Sequence, residues 1–492
     1  MTERTMKTIT KLTTLSLALT CLAAGEQPNI VHIVADDLGW KDVGFNGCVD
    51  IKTPNIDALA AGGAKFTQFY VQPMCTPTRA ALMTGRYPLR YGLQTIVIPG
   101  PANYGLDTAE YLMPQCLKEA GYTTAIIGKW HLGHADIKYW PKQRGFDYQY
   151  GAMIGELDYF MHSDAGVLDW FRNNKPVREK GYTTQLIGKD AVKYVNAQCA
   201  GKPFYLYLTF NAPHTPYQAP KEYAGRYKHI EDPTRRTYAG MVACLDDEIG
   251  RVVAALDNKG LRDNTLILFH SDNGGTKSAM FAGQMADLSK TRIPCDNGPY
   301  RDGKGSLFEG GCRVAACANW PGKIKPQTVD GIIHAVDIYP TLAALAGAST
   351  VKCRPLDGVN VWDTIAEGKP SPRTEVIYNV EPFRGAVRQG DWKLIWRTLI
   401  PTSVDLYNLT DDPYEKNNLA AAHPDKVAAM QERLNALGRE SAKPLALIYV
   451  TSVGLAHGKP LMASEDGKGP ALVEGDGHAI TDEGFSEEDL HR

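Results

Sequence analysis

Short apolar runs alternate with longer amphipathic stretches over most of this 492-residue chain. Asn29-Ile30-Val31-His32-Ile33-Val34 is a run of strand length, as are Thr124-Ala125-Ile126-Ile127, Phe204-Tyr205-Leu206-Tyr207-Leu208-Thr209 and Thr265-Leu266-Ile267-Leu268-Phe269. Unbroken apolarity over so few residues fits strands buried on both faces, as in a parallel sheet. Residues 111–120 and 238–256 instead space their apolar positions as amphipathic helices do. The alternation predicts an α/β domain: a large mixed, mostly parallel sheet sandwiched by helices.

Near Glu375 the texture changes. Trp392-Lys393-Leu394-Ile395-Trp396 and Asp405-Leu406-Tyr407-Asn408-Leu409 have the form of short antiparallel strands, and residues 423–437 that of an amphipathic helix. From about Ser441 the chain is rich in Gly, Asp and Glu. These shifts divide it into a leader (1–25), a main α/β domain (26–375), a smaller C-terminal α+β subdomain (376–440) and an extended tail (441–492).

The leader has the organisation of a secretory signal. Lys7 and Lys11 form its basic start, residues 12–24 an apolar run, and Ala23, Ala24 and Gly25 a small-residue cleavage site. The run is shorter than the roughly 20 residues a membrane span needs, and no later stretch reaches that length. Export to the periplasm or the exterior is therefore expected, with no membrane span. Ala18-Leu19-Thr20 makes a poor lipidation signal for Cys21.

Composition narrows the partners. A hydrophobic content of 43% and a charged content of 22% are ordinary for a globular protein. The formal net charge of −2 leaves no electrostatic footprint for nucleic acid, so any anion must meet a local cluster of cations. Ten cysteines are present with no CxxC pair, which argues against a structural zinc site, and their wide spacing dictates no disulfide framework. Cys244, Cys312 and Cys317 lie in apolar surroundings and are expected to be core thiols.

Chemistry gathers where the four apolar runs end. The first runs into Asp36-Asp37, the second into Gly128-Lys129-Trp130-His131, the third into Asn211-Ala212-Pro213-His214, the fourth into Ser271-Asp272-Asn273-Gly274-Gly275. Ligands of open α/β sheets bind beyond the carboxyl ends of the strands. Each ending alone is an ordinary turn or cap; four in one sheet are a constellation. Asp36, Asp37, Asp272 and Asn273 offer only hard oxygen donors, a set for Ca²⁺ or Mg²⁺. Three carboxylates at one place repel one another unless a cation lies between them. Cys75-Thr76-Pro77-Thr78-Arg79 precedes Ala80-Ala81-Leu82-Met83-Thr84-Gly85-Arg86, and Pro77 suits the first turn of a helix. Cys75 would then stand at a helix N-terminus, where N–H groups favour an anion.

Cys-x-Pro-x-Arg followed by Thr-Gly-Arg resembles the signature of type I, formylglycine-dependent sulfatases of the alkaline phosphatase superfamily. Ala35-Asp36-Asp37-Leu38-Gly39, Gly128-Lys129-Trp130-His131-Leu132-Gly133, Ala212-Pro213-His214, Asp272-Asn273-Gly274-Gly275 and Arg301-Asp302-Gly303-Lys304-Gly305 follow in family order. The resemblance runs from about Gln27 to Glu415. Thr53-Pro54-Asn55-Ile56-Asp57, Tyr238-Ala239-Gly240-Met241 and Pro355-Leu356-Asp357-Gly358 look like the arylsulfatase B (N-acetylgalactosamine-4-sulfatase) branch. Asp302 departs from a more basic turn in the family, which bears on the substrate rim.

The resemblance implies an alkaline-phosphatase-like fold, and a maturation enzyme that oxidises Cys75 to Cα-formylglycine. It implies one Ca²⁺ per chain on Asp36, Asp37, residue 75, Asp272 and Asn273. The hydrated aldehyde would attack sulfur, release the sugar alcohol, and then expel sulfate. Arg79 and Lys129 would hold the diol, with Asp272 a proton acceptor and His131 the base for elimination. Lys129 and His131, two apart, would face one side of an extended segment. His214 and Lys304 would bind the sulfate with Lys129 and protonate the leaving oxygen. The implied substrate is a sulfated oligo- or polysaccharide with a 4-O-sulfate on galactose or N-acetylgalactosamine, as in carrageenan or chondroitin and dermatan sulfate. Trp140 and Trp320 are candidates to stack on the sugar. A phosphate or phosphonate ester hydrolase of the same superfamily and a non-catalytic carbohydrate-binding relative are the competing readings.

Overall fold

A computed structural model describes residues 27–277, 293–398 and 402–448. The leader, Cys21 and most of the 441–492 stretch lie outside the described residues. Ten strands form the main sheet: β1 (Asn29–Ala35), β2 (Ala64–Phe66), β3 (Thr123–Gly128), β4 (Tyr148–Gly151), β5 (Phe171–Arg172), β6 (Lys175–Pro176), β7 (Phe204–Thr209), β8 (Thr265–Ser271), β9 (Ala316–Asn319) and β10 (Gln327–Val329). Their spatial order is β10-β2-β9-β8-β1-β7-β3-β4-β5-β6. The block β8-β1-β7-β3-β4 is parallel throughout, and antiparallel pairs β8–β9 and β4–β5 flank it.

The strongest apolar runs became the central strands because both faces of the sheet are covered. Every residue of β1, β7 and β8 is buried. Their side chains alternate between two cores: Ile30, Val34, Tyr205 and Leu268 face one, and Val31, Ile33, Leu206 and Phe269 the other. Helices α1 (Cys75–Thr84) and α4 (Ala335–Leu345) cover the first face, and α2 (Thr183–Asn196) and α3 (Pro233–Asn258) the second. Each fully buried Val, Leu or Ile contributes about 1.5–3 kcal/mol of transfer free energy, so the two cores fix the sheet and the strand ends with it.

Helix bounds differ from the periodicity for local reasons. α3 starts at Pro233, because the Asp232 carboxylate accepts from the amides of Thr234 (2.8 Å) and Arg235 (3.1 Å). The helix read over 111–120 spans Met113–Glu119, with the Gln115 side chain accepting from Leu112 N at 2.9 Å.

The C-terminal region has its own antiparallel sheet, β11 (Glu375–Glu381), β12 (Arg384–Gln389), β13 (Trp392–Arg397) and β14 (Ser403–Asn408), in that spatial order. Helix α5 (Pro424–Glu440) covers one face with Met430, Leu434 and Leu437. The other face packs Val376, Tyr378, Ala386 and Ile395 on Tyr70, Leu307 and Phe308 of the main body. Residues just past Ser441 dock on the main body: Ala442 N donates to Leu89 O (2.8 Å) and Leu445 N to Gly92 O (2.9 Å). Nine cysteines are free thiols among the described residues, with Cys244, Cys312 and Cys317 buried. No helix there is long and apolar enough to cross a membrane.

Candidate active site

Four parallel strands deliver their polar endings to one edge of the sheet. Asp36 and Asp37 leave β1, Lys129 and His131 leave β3, His214 follows β7, and Asp272 and Asn273 follow β8. Gly128 ends β3 at φ 118°, where a Cβ would lie 1.7 Å from Thr209 O; only glycine lets the chain pass so close to β7. Helix α1 then aims its first residue, Cys75, into the same edge. All ten residues of α1 are buried. Lys304 arrives on a loop pinned by Lys304 N to Gly275 O at 3.2 Å, and a Cβ on Gly303 would lie 2.2 Å from that same oxygen.

The side chains form one connected set. Lys129 Nζ is 2.5 Å from Asp36 Oδ2. Arg79 grips Asp272 Oδ2 through Nε (3.0 Å) and Nη2 (2.8 Å), and its Nη1 donates to Lys129 O at 3.1 Å. Cys75 Sγ is 3.4 Å from Asp36 Oδ1. Lys304 Nζ donates to Asp37 Oδ2 at 2.8 Å and lies 3.0 Å from His214 Nε2. Asn273 Nδ2 donates to Asp37 Oδ1 at 2.7 Å. His131 Nε2 meets Ile98 O at 3.0 Å, while its Nδ1 is buried with no hydrogen-bond partner among the described residues.

Two details depart from expectation. His131 sits at φ 59°, so the segment from Lys129 is not extended and the two side chains do not share a face. Lys129 is fully buried beneath Asp36, whereas His131 lines the cavity. Trp320 lies at the opposite end of the sheet: its indole N–H donates to Asp263 O (2.9 Å) and its ring packs 5.7 Å from Trp362. Trp140 spends its N–H on His134 O and packs on Phe171, outside the cavity lining.

Asp36, Asp37, Cys75 and His214 each place a donor atom within 4.8 Å of the others. Asp272 is not in that foursome; Arg79 holds one of its oxygens and Asp37 N approaches the other at 3.3 Å. Asn273 Oδ1 is buried beside Asp37 and accepts no hydrogen bond among the described residues. Burial and the neighbouring Asp36 push the Asp272 carboxyl up. A crowded carboxylate and an orphaned buried oxygen are what a hard divalent cation would satisfy.

Electrostatics sort the remaining groups. Burial, Asp272 and Asp36 push the Cys75 thiol well above its ordinary value, so a thiolate is disfavoured here. Burial and Lys304 bring His214 down to about 4, and burial with Lys129 and Arg79 lowers His131 well below its usual range. Both imidazoles are therefore neutral at pH 7. Burial would raise Asp37, but the neighbouring Lys304 ammonium outweighs it and holds this carboxyl low.

Above this set opens a cavity of about 270 Å³. Cys75, His131, His214 and Lys304 line it together with Ile98, Gly155, Glu156 and Asp164. Gly155 abuts the His131 ring, since a Cβ there would lie 2.3 Å from its Cε1. Sequence reasoning missed these wall residues. Their one local signal is Thr76, whose hydroxyl accepts from Ile98 N (3.1 Å) and donates to His131 O (3.0 Å).

The profile of the family described as Sulfatase matches residues 28–348. Arylsulfatase J of Mus musculus is 34% identical over 84% of this chain and 76% of its own length. N-acetylgalactosamine-6-sulfatase of Mus musculus is 35% identical over 76% of this chain and 74% of its own. Among solved structures, Ps i-CgsB in complex with k-i-k-neocarrahexaose is 35% identical, with a TM-score of 0.76, covering 85% of this chain and 94% of that one.

Proposed function

The chain belongs to the sulfatase family and is a sulfuric ester hydrolase, and from that premise we propose an exported, Ca²⁺-dependent carbohydrate sulfatase acting on a 4-O-sulfate of galactose or N-acetylgalactosamine units. The observation that carries this reading is the meeting of Cys75 with the Lys304–His214 pair at one cavity, with Asp36 and Asp37 donor atoms within 4.8 Å of those of Cys75 and His214. A solved neighbour complexed with a neocarrahexaose supports a sulfated galactan such as carrageenan as substrate. Chondroitin and dermatan sulfate offer the same ester on N-acetylgalactosamine.

Formylglycine at position 75, installed by a maturation enzyme, would supply an oxygen nucleophile as its hydrate, and Ca²⁺ held by Asp36, Asp37, residue 75, Asp272 and Asn273 a centre of positive charge. The protein's own groups do the rest. Arg79 and Lys129 fix Asp272 and Asp36 and keep cations beside residue 75, where charge develops on the sulfate. Lys304 and His214 bind the sulfate, and Lys304 carries the proton that this pair passes to the departing alcohol oxygen. His131 keeps its Nε2–H on Ile98 O, which leaves Nδ1 as a lone-pair acceptor for the proton lost when sulfate is released.

The test is a panel of defined galacto-sugars bearing 4-sulfate, 6-sulfate or 4-phosphate, with product anion measured. The 4-sulfate should turn over about 10-fold or more faster than the 6-sulfate, because one rigid pocket fixes the line of attack. The 6-position is the direct competitor, since one relative is named for it. Equal rates or a 6-preference would reject the regiochemistry, and release of phosphate in preference to sulfate would reject the chemistry. After chelation, release should stop until Ca²⁺ is restored; a requirement for zinc would overturn the metal assignment.

A further inference from the structure

The loop that carries Lys304 has a second wet side. A cleft of about 230 Å³ is lined there by Asp302, Lys304, Ser306 and Phe308 of the main body and by Arg384 and Arg397 of the C-terminal sheet. Lys304 lines both this cleft and the active-site cavity, so the two meet at that side chain. Arg384 on β12 and Arg397 on β13 are direct cross-strand partners, which puts both side chains on one face of the sheet.

Each guanidinium is fixed without being used up. Arg384 bonds Glu381 and Gly305 O. Arg397 donates through Nε to Ser403 Oγ (3.0 Å) and through Nη2 to Asp405 Oδ2 (2.8 Å). A guanidinium has five N–H donors in a rigid fork, so both retain donors toward the cleft. Their side chains are 26% and 40% exposed. Asp302, Glu381 and Asp405 offset much of the local charge, so the cleft is a directed pair of forks and not a diffuse basic patch. Such forks suit a tetrahedral oxyanion. Glu156 and Asp164 line the active-site cavity and not this cleft, and carboxylates suit sugar hydroxyls better than a second anion.

We propose that Arg384 and Arg397 form a subsite for a second sulfate, carried by the sugar unit next to the one being desulfated. The proposal rests on the carbohydrate-sulfatase reading above. It gives the chain a direction: the sulfated neighbour lies toward the C-terminal sheet, and the unsulfated unit toward Glu156 and Asp164.

The experiment compares two oligosaccharides with the same scissile ester, one bearing a second sulfate on the adjacent unit. Arg397→Gln is the informative change, because Arg384 also holds Gly305 beside Lys304. The variant should lose about 10-fold in kcat/KM on the disulfated substrate, mainly through KM, and so lose its preference over the monosulfated one. Arg397→Lys should recover only part of the loss. An equal effect on both substrates, or none on either, would overturn the subsite. If the wild type released sulfate from neither sugar, the underlying reading would fail, and calorimetric titration would still decide this one. Equal affinity of wild type and Arg397→Gln for the disulfated oligosaccharide would then overturn it.

Discussion

Lys129 and Asp36 lie 2.5 Å apart, and Arg79 and Asp272 2.8 Å apart, with all four side chains cut off from solvent. With Asp37 and Lys304 the site sets three carboxylates against three cations. Bare, it is near neutrality; a divalent cation would make it the positive centre that an incoming sulfate monoester offsets. These side chains are not equivalent to mutation. Cys75→Ala removes one small group that holds no ion pair, so it should cost little stability while abolishing turnover. Asp36→Ala also stops turnover, but it leaves Lys129 buried without its partner and should cost about 3–5 kcal/mol. Thermal unfolding beside an activity assay separates the two; a fully active Cys75→Ala would refute the assigned nucleophile. The expected site residues other than Lys304 were legible as candidates because each sits within a few positions of a strand end or at a proline-marked helix start; Lys304, on a loop, came from the family resemblance alone. Ile98, Gly155, Glu156 and Asp164 were not, because folded-over loops bring them there and no periodicity records such contacts.

Helix α1 shows where patterns fall silent. All its residues are buried, so no polar face exists to reveal a helical period, and Pro77 was the mark by which it was read. Strands β5 and β6 are two residues each, too short to carry alternation. The central strands were readable for the opposite reason: burial on both faces made them uniformly apolar. Strand β13 hides another feature. Lys393 reads as a solvated position, yet it is fully buried, 2.8 Å from Glu309 Oε1 and 3.0 Å from Glu415 Oε1. Tyr70 and Tyr378 donate to the same Glu309 carboxylate at 2.8 Å each. This cluster fastens the C-terminal sheet, and with it Arg384 and Arg397, to the short helix Glu309–Cys312 just beyond Lys304. Lys393→Ala would take from buried Glu415 the cation it faces and from Glu309 the nearest of its cations, and should cost about 3–5 kcal/mol. A fall of several degrees in the unfolding midpoint is expected; an unchanged midpoint would show that the cluster does not hold the two parts together.

Across the whole molecule, buried acids set how stability follows pH. Burial, partly offset by Arg251, lifts Glu248 from an ordinary 4.5 to about 7. Burial also raises Asp246 and Asp169 from 3.8 to about 6 against their backbone hydrogen bonds. A carboxyl whose folded value is raised stabilises the fold fully below its unfolded value and loses that contribution as pH climbs through the folded one. Glu309 behaves oppositely: burial would raise it, but Lys393 and two arginines outweigh that and hold it at about 2, so its contribution disappears as pH falls from 4.5 toward 2. The buried histidines oppose the raised acids: His131, His214 and His270 are held below their ordinary 6.5, so their contribution is present above that value and is lost as pH falls, and a raised acid is therefore read by difference against its own variant. Glu248 tests this, because it lies between helices α2 and α3, far from the strand ends that carry the chemistry. One oxygen accepts from Arg251 at 2.6 Å; the other is buried without a partner among the described residues, where a Cβ on Gly188 would lie 2.2 Å away. Glu248→Gln keeps the shape and removes the titration. With Ca²⁺ saturating, the unfolding temperature of the variant relative to that of the wild type should rise measurably between pH 5 and pH 8. Identical slopes in the two proteins would show that Glu248 carries no part of the pH dependence.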